Sequence, residues 1–310
     1  MPALAEPRRV ALFCDRKDGH ARLIEQALAR RGVEAIAASL SACGVDTTAP
    51  LGLRIPGFEA APPLAAFVRG VPAGTFEQVT QRLTVLHALR ECGVVVWNDA
   101  RAIEACIDKS MTSWLMARAG LPTPPTFTAQ SRAAAVAILE AHGAPMVLKP
   151  LFGSQGRGVR LVSGAADLPQ ENEPGVAGVY YLQRFVEPEN AVWRDYRVFV
   201  VAGRALAGMT RVGATWVTNI RQGAAAQPLV ISEEMRAAAE TAARATGADY
   251  AGVDLIRGRS GVIEALEVNS MPAWTGLQQV NPQIDIAQAV ADAFLLAVAR
   301  RSDAAPRAVS

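Results

Sequence analysis

Residues 147–162 read VLKPLFGSQGRGVRLV, and how this stretch is parsed decides the fold. Lys149-Pro150 leads into a loop holding Gly153, Ser154, Gly156 and Gly158. A Walker-type phosphate loop closes on Gly-Lys-Ser/Thr where a helix begins. Here the lysine comes first and no such ending follows. A dinucleotide fingerprint spaces its glycines G-x-G-x-x-G and opens a helix. Here the order is G-x-x-G-x-G, and the next residues, Val159-Arg160-Leu161-Val162, have strand character. Pro145 to Lys149 is strand-like as well. The stretch therefore reads as strand–loop–strand. Its glycines would fold a flap of backbone N–H groups over phosphates, with Lys149 a fixed cation on the adjoining strand. Taken alone, the same residues also suit an ordinary hairpin with a long turn, so the rest of the chain must decide.

The chain has 310 residues, 51% of them hydrophobic and 19% charged. That is enough for two or three compact units and too apolar for a disordered chain. A net charge of +2 argues against a dedicated nucleic-acid binder. No apolar run approaches the ~20 residues of a membrane span. Met1 to Arg9 lacks the ordered regions of a signal peptide. The cysteines Cys14, Cys43, Cys92 and Cys106 are scattered, as are His20, His87 and His142. Neither a zinc site nor a disulfide framework is expected. A reduced, cytoplasmic enzyme or binding protein fits.

The N-terminus alternates strand (Val10–Cys14), helix (Ala21–Arg31) and strand (Val33–Ile36), which predicts a small doubly wound domain. Its first turn has no phosphate-type glycines. Residues 41–64 carry no clear period. Helices are predicted over 76–92, 103–119, 131–142 and 233–246, with a last one over 284–300. Residues 195–201 and 205–211 predict a hairpin about Gly203, and 250–256 with 262–268 a second.

That second hairpin concentrates acids and amides. Side chains alternate faces in a strand, so Glu267 and Asn269 share one face while Leu266 and Val268 point to a core. A tight turn at Ser260-Gly261 would set Asp254 opposite Glu267. Clustered carboxylates are unfavourable unless a cation lies between them. Oxygen donors without His or Cys suit Mg²⁺ or Mn²⁺. A solvated polar face is the plainer alternative. The glycine flap and Lys149 together weigh against it.

Over residues 65–295 these motifs, in this order, resemble the ATP-grasp superfamily. Within it they resemble the RimK-like α-L-glutamate ligases, the group of the ribosomal protein S6 modification enzyme. The resemblance implies an α/β (α+β) ATP-grasp fold with an N-terminal Rossmann-like domain (1–105), a central subdomain (106–186), a C-terminal subdomain with the metal site (187–300) and a flexible tail (301–310). It implies ATP between the last two domains. Lys109 resembles the first ATP lysine and Lys149 the second. Gln183-Arg184-Phe185-Val186 resembles the strand whose backbone reads adenine. Asp195, Thr218 and Asn219 resemble nucleotide-side residues, and Arg211 a catalytic cation with Lys149. Asp254, Glu267 and Asn269 resemble the metal triad. Arg197, Arg221 and Asn219 are candidates for the substrate. The stretch from Glu267 to Trp274, with Leu277-Gln278, is similar to ligases that glutamylate tetrahydromethanopterin or related one-carbon cofactors.

Two positions depart from the family. Arg184 stands where Glu commonly precedes the hinge Phe. Ile220-Arg221-Gln222-Gly223-Ala224 replaces His-Arg-Gly-Gly. The implied reaction joins a carboxylate to an amine, L-glutamate, through an acylphosphate, releasing ADP and phosphate. Phosphoryl transfer asks the protein mainly for positioning and charge neutralisation. The acceptor would be a small cofactor or a peptide terminus, and the enzyme a homodimer or homotetramer. Another ATP-grasp amino-acid ligase, of dipeptide or amino-group-carrier type, stays open, as does a non-catalytic nucleotide-binding module.

Overall fold

The computed structural model describes residues 8–153, 156–173 and 175–304, with side chains to 301. Ser154, residues 1–7 and the tail from 305 lie outside the described residues. The chain divides into two units, Met1–Ala102 with Gln283–Ser310, and Ile103–Pro282.

In the first unit, β1 (Arg8–Phe13), α1 (Gly19–Ala29) and β2 (Val33–Ala38) form the expected β-α-β element. Val10 to Phe13 are fully buried, as a parallel strand covered on both faces requires. Asp18 caps α1 by accepting from Ala21 N at 2.8 Å. The unpatterned stretch 41–64 contains the short antiparallel pair β3 (Gly44–Val45) and β4 (Leu53–Arg54) and short 3-10 turns at Leu40–Ala42 and Pro50–Gly52. β5 (Ala65–Val68), unforeseen in the sequence, is buried at every position. An apolar run of this length has no period to distinguish strand from helix. α2 (Phe76–Glu91) begins with a capping box between Thr75 and Gln78, and β6 (Val95–Trp97) completes a sheet of order β2-β1-β5-β6. Its strands are parallel throughout.

α3 (Ala100–Ile107) leads into the second unit. The single helix expected over 103–119 is broken at Asp108, which is extended (φ −85°, ψ 104°) and opens α4 (Lys109–Arg118). Its carboxylate accepts from Ser110 N and Met111 N. Aspartate is favoured at this capping position and not inside a helix. Lys109 thereby becomes the first residue of α4.

β7 (Thr126–Ala129), α5 (Arg132–His142), β8 (Met146–Lys149), β9 (Arg160–Val162) and β10 (Tyr180–Arg184) follow. The four strands form an antiparallel sheet of order β7-β10-β8-β9. β8 and β9 flank the glycine loop, so the strand–loop–strand reading holds. Met146, Leu148, Val162, Tyr180 and Leu182 pack with Ala135 and Leu139 of α5.

The next elements are β11 (Arg194–Val201), β12 (Arg204–Val212), β13 (Ala225–Pro228), α6 (Glu233–Thr246), β14 (Tyr250–Arg257) and β15 (Ile263–Asn269). They build a sheet of order β13-β12-β11-β14-β15. Ala202 (φ 49°) and Gly203 (φ 75°) turn the first hairpin, in the positive-φ geometry that matches strand twist. Tyr196, Val198, Val200, Ala251, Val253, Leu255, Ile263, Ala265 and Val268 share a core with Met235, Ala239 and Ala242 of α6 and Met116 of α4. Strand alternation leaves Asp195, Arg197, Arg211, Asp254 and Glu267 on the opposite face. Leu266 does not join the core as expected. A bulge shifts the β14–β15 register between Asp254 and Leu255, and Leu266 is the unpaired residue it inserts.

α7 (Thr275–Val280) precedes α8 (Ile286–Ala304). Residues 301–304 are thus helical, where a flexible tail was expected. α8 groups with the first unit, although the expected boundaries run the C-terminal subdomain to residue 300. Phe294 lies 5.5 Å from Phe67 and 5.9 Å from Trp97, ring centre to ring centre.

Candidate active site

The five-stranded sheet supplies a charged floor through cross-strand pairs. Asp254 faces Glu267 in the β14–β15 register, and Gly252 faces Asn269. The turn over 258–261, with Gly261 at φ 75°, pairs Arg257 with Ile263, and the one-residue bulge at Leu266 then brings Glu267 opposite Asp254. On the other side of β14, Arg197 faces Asp254; one strand further, Asp195 faces Arg211.

These neighbours are joined by short bonds. Arg197 donates to both oxygens of Asp254, Nε to Oδ1 at 2.7 Å and Nη2 to Oδ2 at 2.8 Å. Arg211 Nη2 reaches Asp254 Oδ2 at 2.8 Å. Arg211 also grips Asp195, Nε to Oδ1 at 2.5 Å and Nη2 to Oδ2 at 2.6 Å. Thr218 Oγ1 donates to the same Asp195 oxygen at 2.6 Å. Arg211 is 3% exposed, Asp195 6% and Asp254 7%. Burial opposes ionisation of Asp254, but Arg197 and Arg211 outweigh it and hold the carboxyl at about 2. Such bidentate, charge-assisted pairs are the strong kind.

Glu267 differs. It is half-buried and has no hydrogen bond or ion pair among the described residues. The Asn269 side-chain oxygen accepts from Met271 N at 3.0 Å and keeps a second lone pair. Asp254 keeps less free acceptor capacity than Glu267. The donor set is oxygen alone and suits a hard divalent cation such as Mg²⁺, with Glu267 the least committed ligand.

The four-stranded sheet supplies Lys149, and the first turn of α4 supplies Lys109. Lys149 ends β8 and donates to Gln183 Oε1 on the neighbouring β10 at 2.6 Å. Its ammonium lies 5.9 Å from the centre of the Tyr181 ring. Burial pushes Lys149 down from 10.5 to about 8; Glu267 and Asp254 pull it up and Lys109 pushes it further down. One ammonium therefore feels both the floor acids and the other lysine. Gln183 donates onward to Thr126 Oγ1 at 3.1 Å and Tyr181 Oη at 3.2 Å, and Tyr181 bonds Ser113 at 2.7 Å. Lys109 Nζ donates to the carbonyl of Gly153 at 2.7 Å, at the base of the flap.

The flap has left-handed backbone at Gly156 (φ 69°) and Gly158 (φ 72°), a conformation glycine adopts without a Cβ penalty. A Cβ at Gly156 would fall 2.7 Å from Gln222 Nε2 and 3.0 Å from Val217 Cγ1. The flap therefore comes close to the segment that joins β12 to β13.

The remaining candidates have plainer surroundings. The Arg184 and Phe185 N–H groups already donate to the carbonyls of Pro125 and Pro145, at 2.8 and 3.2 Å. Those two donors of the expected adenine-reading strand are engaged by protein. The Arg184 side chain pairs with Glu264 at 2.6 Å. Phe185 packs 6.0 Å from Trp193 and 5.8 Å from Trp216. Beside it, and next to buried Val186, opens a cavity of about 580 Å³ lined by Phe185, Glu187, Pro188, Trp193 and Arg259 among others. Asn219 caps a short turn through Arg221 N at 2.9 Å, and Arg221 itself is exposed. Sequence reasoning passed over Tyr181, Ser113, Thr126 and Glu264. Strand alternation alone would have put Tyr181 on the face of Gln183.

Residues 106–294 match the family of the RimK-like ATP-grasp domain. The tetrahydromethanopterin:alpha-L-glutamate ligase of Methanococcus maripaludis is 35% identical over 234 residues, 74% of this chain and 78% of that protein. The enzyme of the same name from Methanosarcina acetivorans is 37% identical over 209 residues, 63% of each chain. Among solved structures, the ATP-grasp ligase PsnB, complexed with a phosphomimetic variant of its minimal precursor, Mg and ADP, superposes with a TM-score of 0.72. It covers 93% of this chain and 98% of its own at 22% identity, a likeness of fold.

Proposed function

The chain belongs to the RimK-like ATP-grasp family and is a carboxylate–amine ligase, and from that premise we propose that it adds L-glutamate to a carboxylate of a reduced pterin cofactor. The observation that carries the site is the convergence of Asp254, Glu267 and Asn269 on adjoining strands β14 and β15, with Lys149 close enough to feel both acids and Lys109. It joins the flap side to the acidic floor. The relatives named for tetrahydromethanopterin support the acceptor class.

ATP lies between the two sheets of the second unit, with the subdomain border near residue 186. Lys109 and Lys149 hold the α- and β-phosphates. Asp254, Glu267 and Asn269 would hold Mg²⁺, which would neutralise phosphate charge. Arg211 steadies the phosphoryl group in flight and the later oxyanion. Arg197 and Arg221 meet the anionic substrate. The acceptor carboxylate, a poor electrophile, takes the γ-phosphoryl group and becomes an acylphosphate. The amine then displaces phosphate. The flap keeps water from the acylphosphate, which hydrolyses readily. The four free thiols suit the reducing cytoplasm, and we assign a homodimer or homotetramer.

The test is incubation with ATP, Mg²⁺, glutamate and a panel of carboxylate acceptors that includes reduced pterins, with nucleotide analysis and product masses. ADP formation that needs one acceptor, with a mass gain of one or more glutamyl units, is the expected result. Formation of AMP would overturn the phosphoryl-transfer chemistry. ADP formation dependent on a non-pterin acceptor would replace the substrate.

A further inference from the structure

We infer that Asp195 and Thr218 are a brace that aims Arg211 at the reacting group, and that neither touches the nucleotide. The inference rests on the role proposed above for Arg211.

The Asp195 carboxylate is spent on protein. Oδ1 accepts from Arg211 Nε, and Oδ2 accepts from both Arg211 Nη2 and Thr218 Oγ1. The residue is 6% exposed. A buried anion in this setting repels phosphate and gains nothing from meeting one. Its effect falls instead on Arg211. A guanidinium is a rigid planar fork. Asp195 fixes the Nε–Nη2 edge, and Asp254 takes Nη2 from a second direction. Nη1 has no partner among the described residues. Fixing one edge of a planar fork sets the direction of the other, so the N–H donors of Nη1 are the ones presented to a ligand.

The same carboxylate reaches a loop. Thr218 belongs to residues 213–224, which are pinned by Gly213 N to Trp193 O at 3.0 Å and Ala224 N to Asn219 O at 3.2 Å. Val217 and Gln222 of this loop are the residues that approach flap Gly156. Asp195 therefore sets both the aim of Arg211 and the seat on which the flap rests.

The experiment compares full-length wild type with Thr218→Val, Thr218→Ser and Asp195→Asn, all first checked for folding by circular dichroism. ATP affinity is measured by calorimetry, ligation by kcat and KM, and the Arg211 Nε–H by ¹⁵N side-chain resonances assigned with Arg211→Lys. Thr218→Val should lower kcat about 10-fold, the range of supporting residues around a site, while ATP Kd and KM change less than about twofold. Thr218→Ser should restore the rate, and Asp195→Asn should cost more than Thr218→Val. The Arg211 Nε–H should exchange slowly in wild type and faster in Thr218→Val. Parallel loss of ATP affinity and kcat would show nucleotide contact and overturn the brace. So would an unchanged rate together with an unchanged resonance. A protected resonance in a wild type that ligates no acceptor would keep the brace and overturn the functional reading instead. Should Asp195→Asn fail to fold, the Thr218 pair still decides.

Discussion

The two sheets of the second unit treat their charged side chains in opposite ways. On the five-stranded sheet, half-buried Arg197 and buried Asp254, Arg211 and Asp195 form an unbroken chain in which every carboxylate oxygen is bonded. On the side of the four-stranded sheet, Lys149 at the end of β8 and Lys109 at the start of α4 each donate one bond, to an amide oxygen and a backbone carbonyl. Arginine suits the first setting because its fork matches carboxylates geometrically and stays charged when buried. Lysine suits the second because a single flexible ammonium can exchange a neutral acceptor for a phosphate. One sheet is preorganised and the other adaptable, as positioning catalysis with a closing flap requires.

The contrast breaks most visibly at Asp254. Asp254→Ala leaves Arg197 and Arg211 without the carboxylate between them, and should cost ~3–5 kcal/mol in urea unfolding along with all ligation. Glu267→Ala should separate the two properties. Among the described residues its carboxylate has no hydrogen bond or ion pair to lose, so stability should hold within ~0.5 kcal/mol. Ligation should fall at least ~100-fold, with a matching loss of Mg²⁺ affinity.

Lys149 sharpens the comparison through pH. Its folded value, about 8, lies below the ordinary 10.5, so between those limits the unfolded chain holds the proton and the folded chain does not. This group's contribution to stability therefore rises with pH across that window. Phosphate affinity should move the other way, weakening by up to ~10-fold per pH unit above 8. Lys149→Arg should flatten the profile, and a wild-type profile already flat from pH 7 to 9.5 would deny Lys149 the contact. The smallest effect is expected at Asp108→Ala. Loss of the cap should cost ~1 kcal/mol and raise KM for ATP, since the cap sets the turn that carries Lys109.

Much of the floor was legible before the structure. Period-two alternation and one glycine-containing turn predict Asp254 against Glu267, and that pair is present, although the strands run one residue off the expected register from Leu255 to the turn and the bulge at Leu266 restores it. The order of lysine, proline and glycines marked strand–loop–strand rather than a helix-opening phosphate loop. What stayed hidden depends on pairing between strands. The partnership of Asp195 with Arg211 emerges only when β12 is set beside β11. Leu266 looks like core until the bulge displaces it. Asp108 looks like a helix-interior residue until its carboxylate turns back to cap α4. β5 and β7 are short and lack a period strong enough to announce a strand. Gln222 is a polar loop residue in the sequence, and only the close approach of Gly156 shows what it touches.

The most direct test of ligation through a phosphorylated carboxylate is to follow oxygen. An acceptor labelled with ¹⁸O in its carboxylate is incubated with ATP, Mg²⁺ and glutamate, and the released phosphate is weighed by mass spectrometry. One ¹⁸O per inorganic phosphate, with one retained in the amide, is the result expected if the carboxylate attacks the γ-phosphorus and phosphate later leaves. Unlabelled phosphate alongside amide product, or label in AMP, would contradict it.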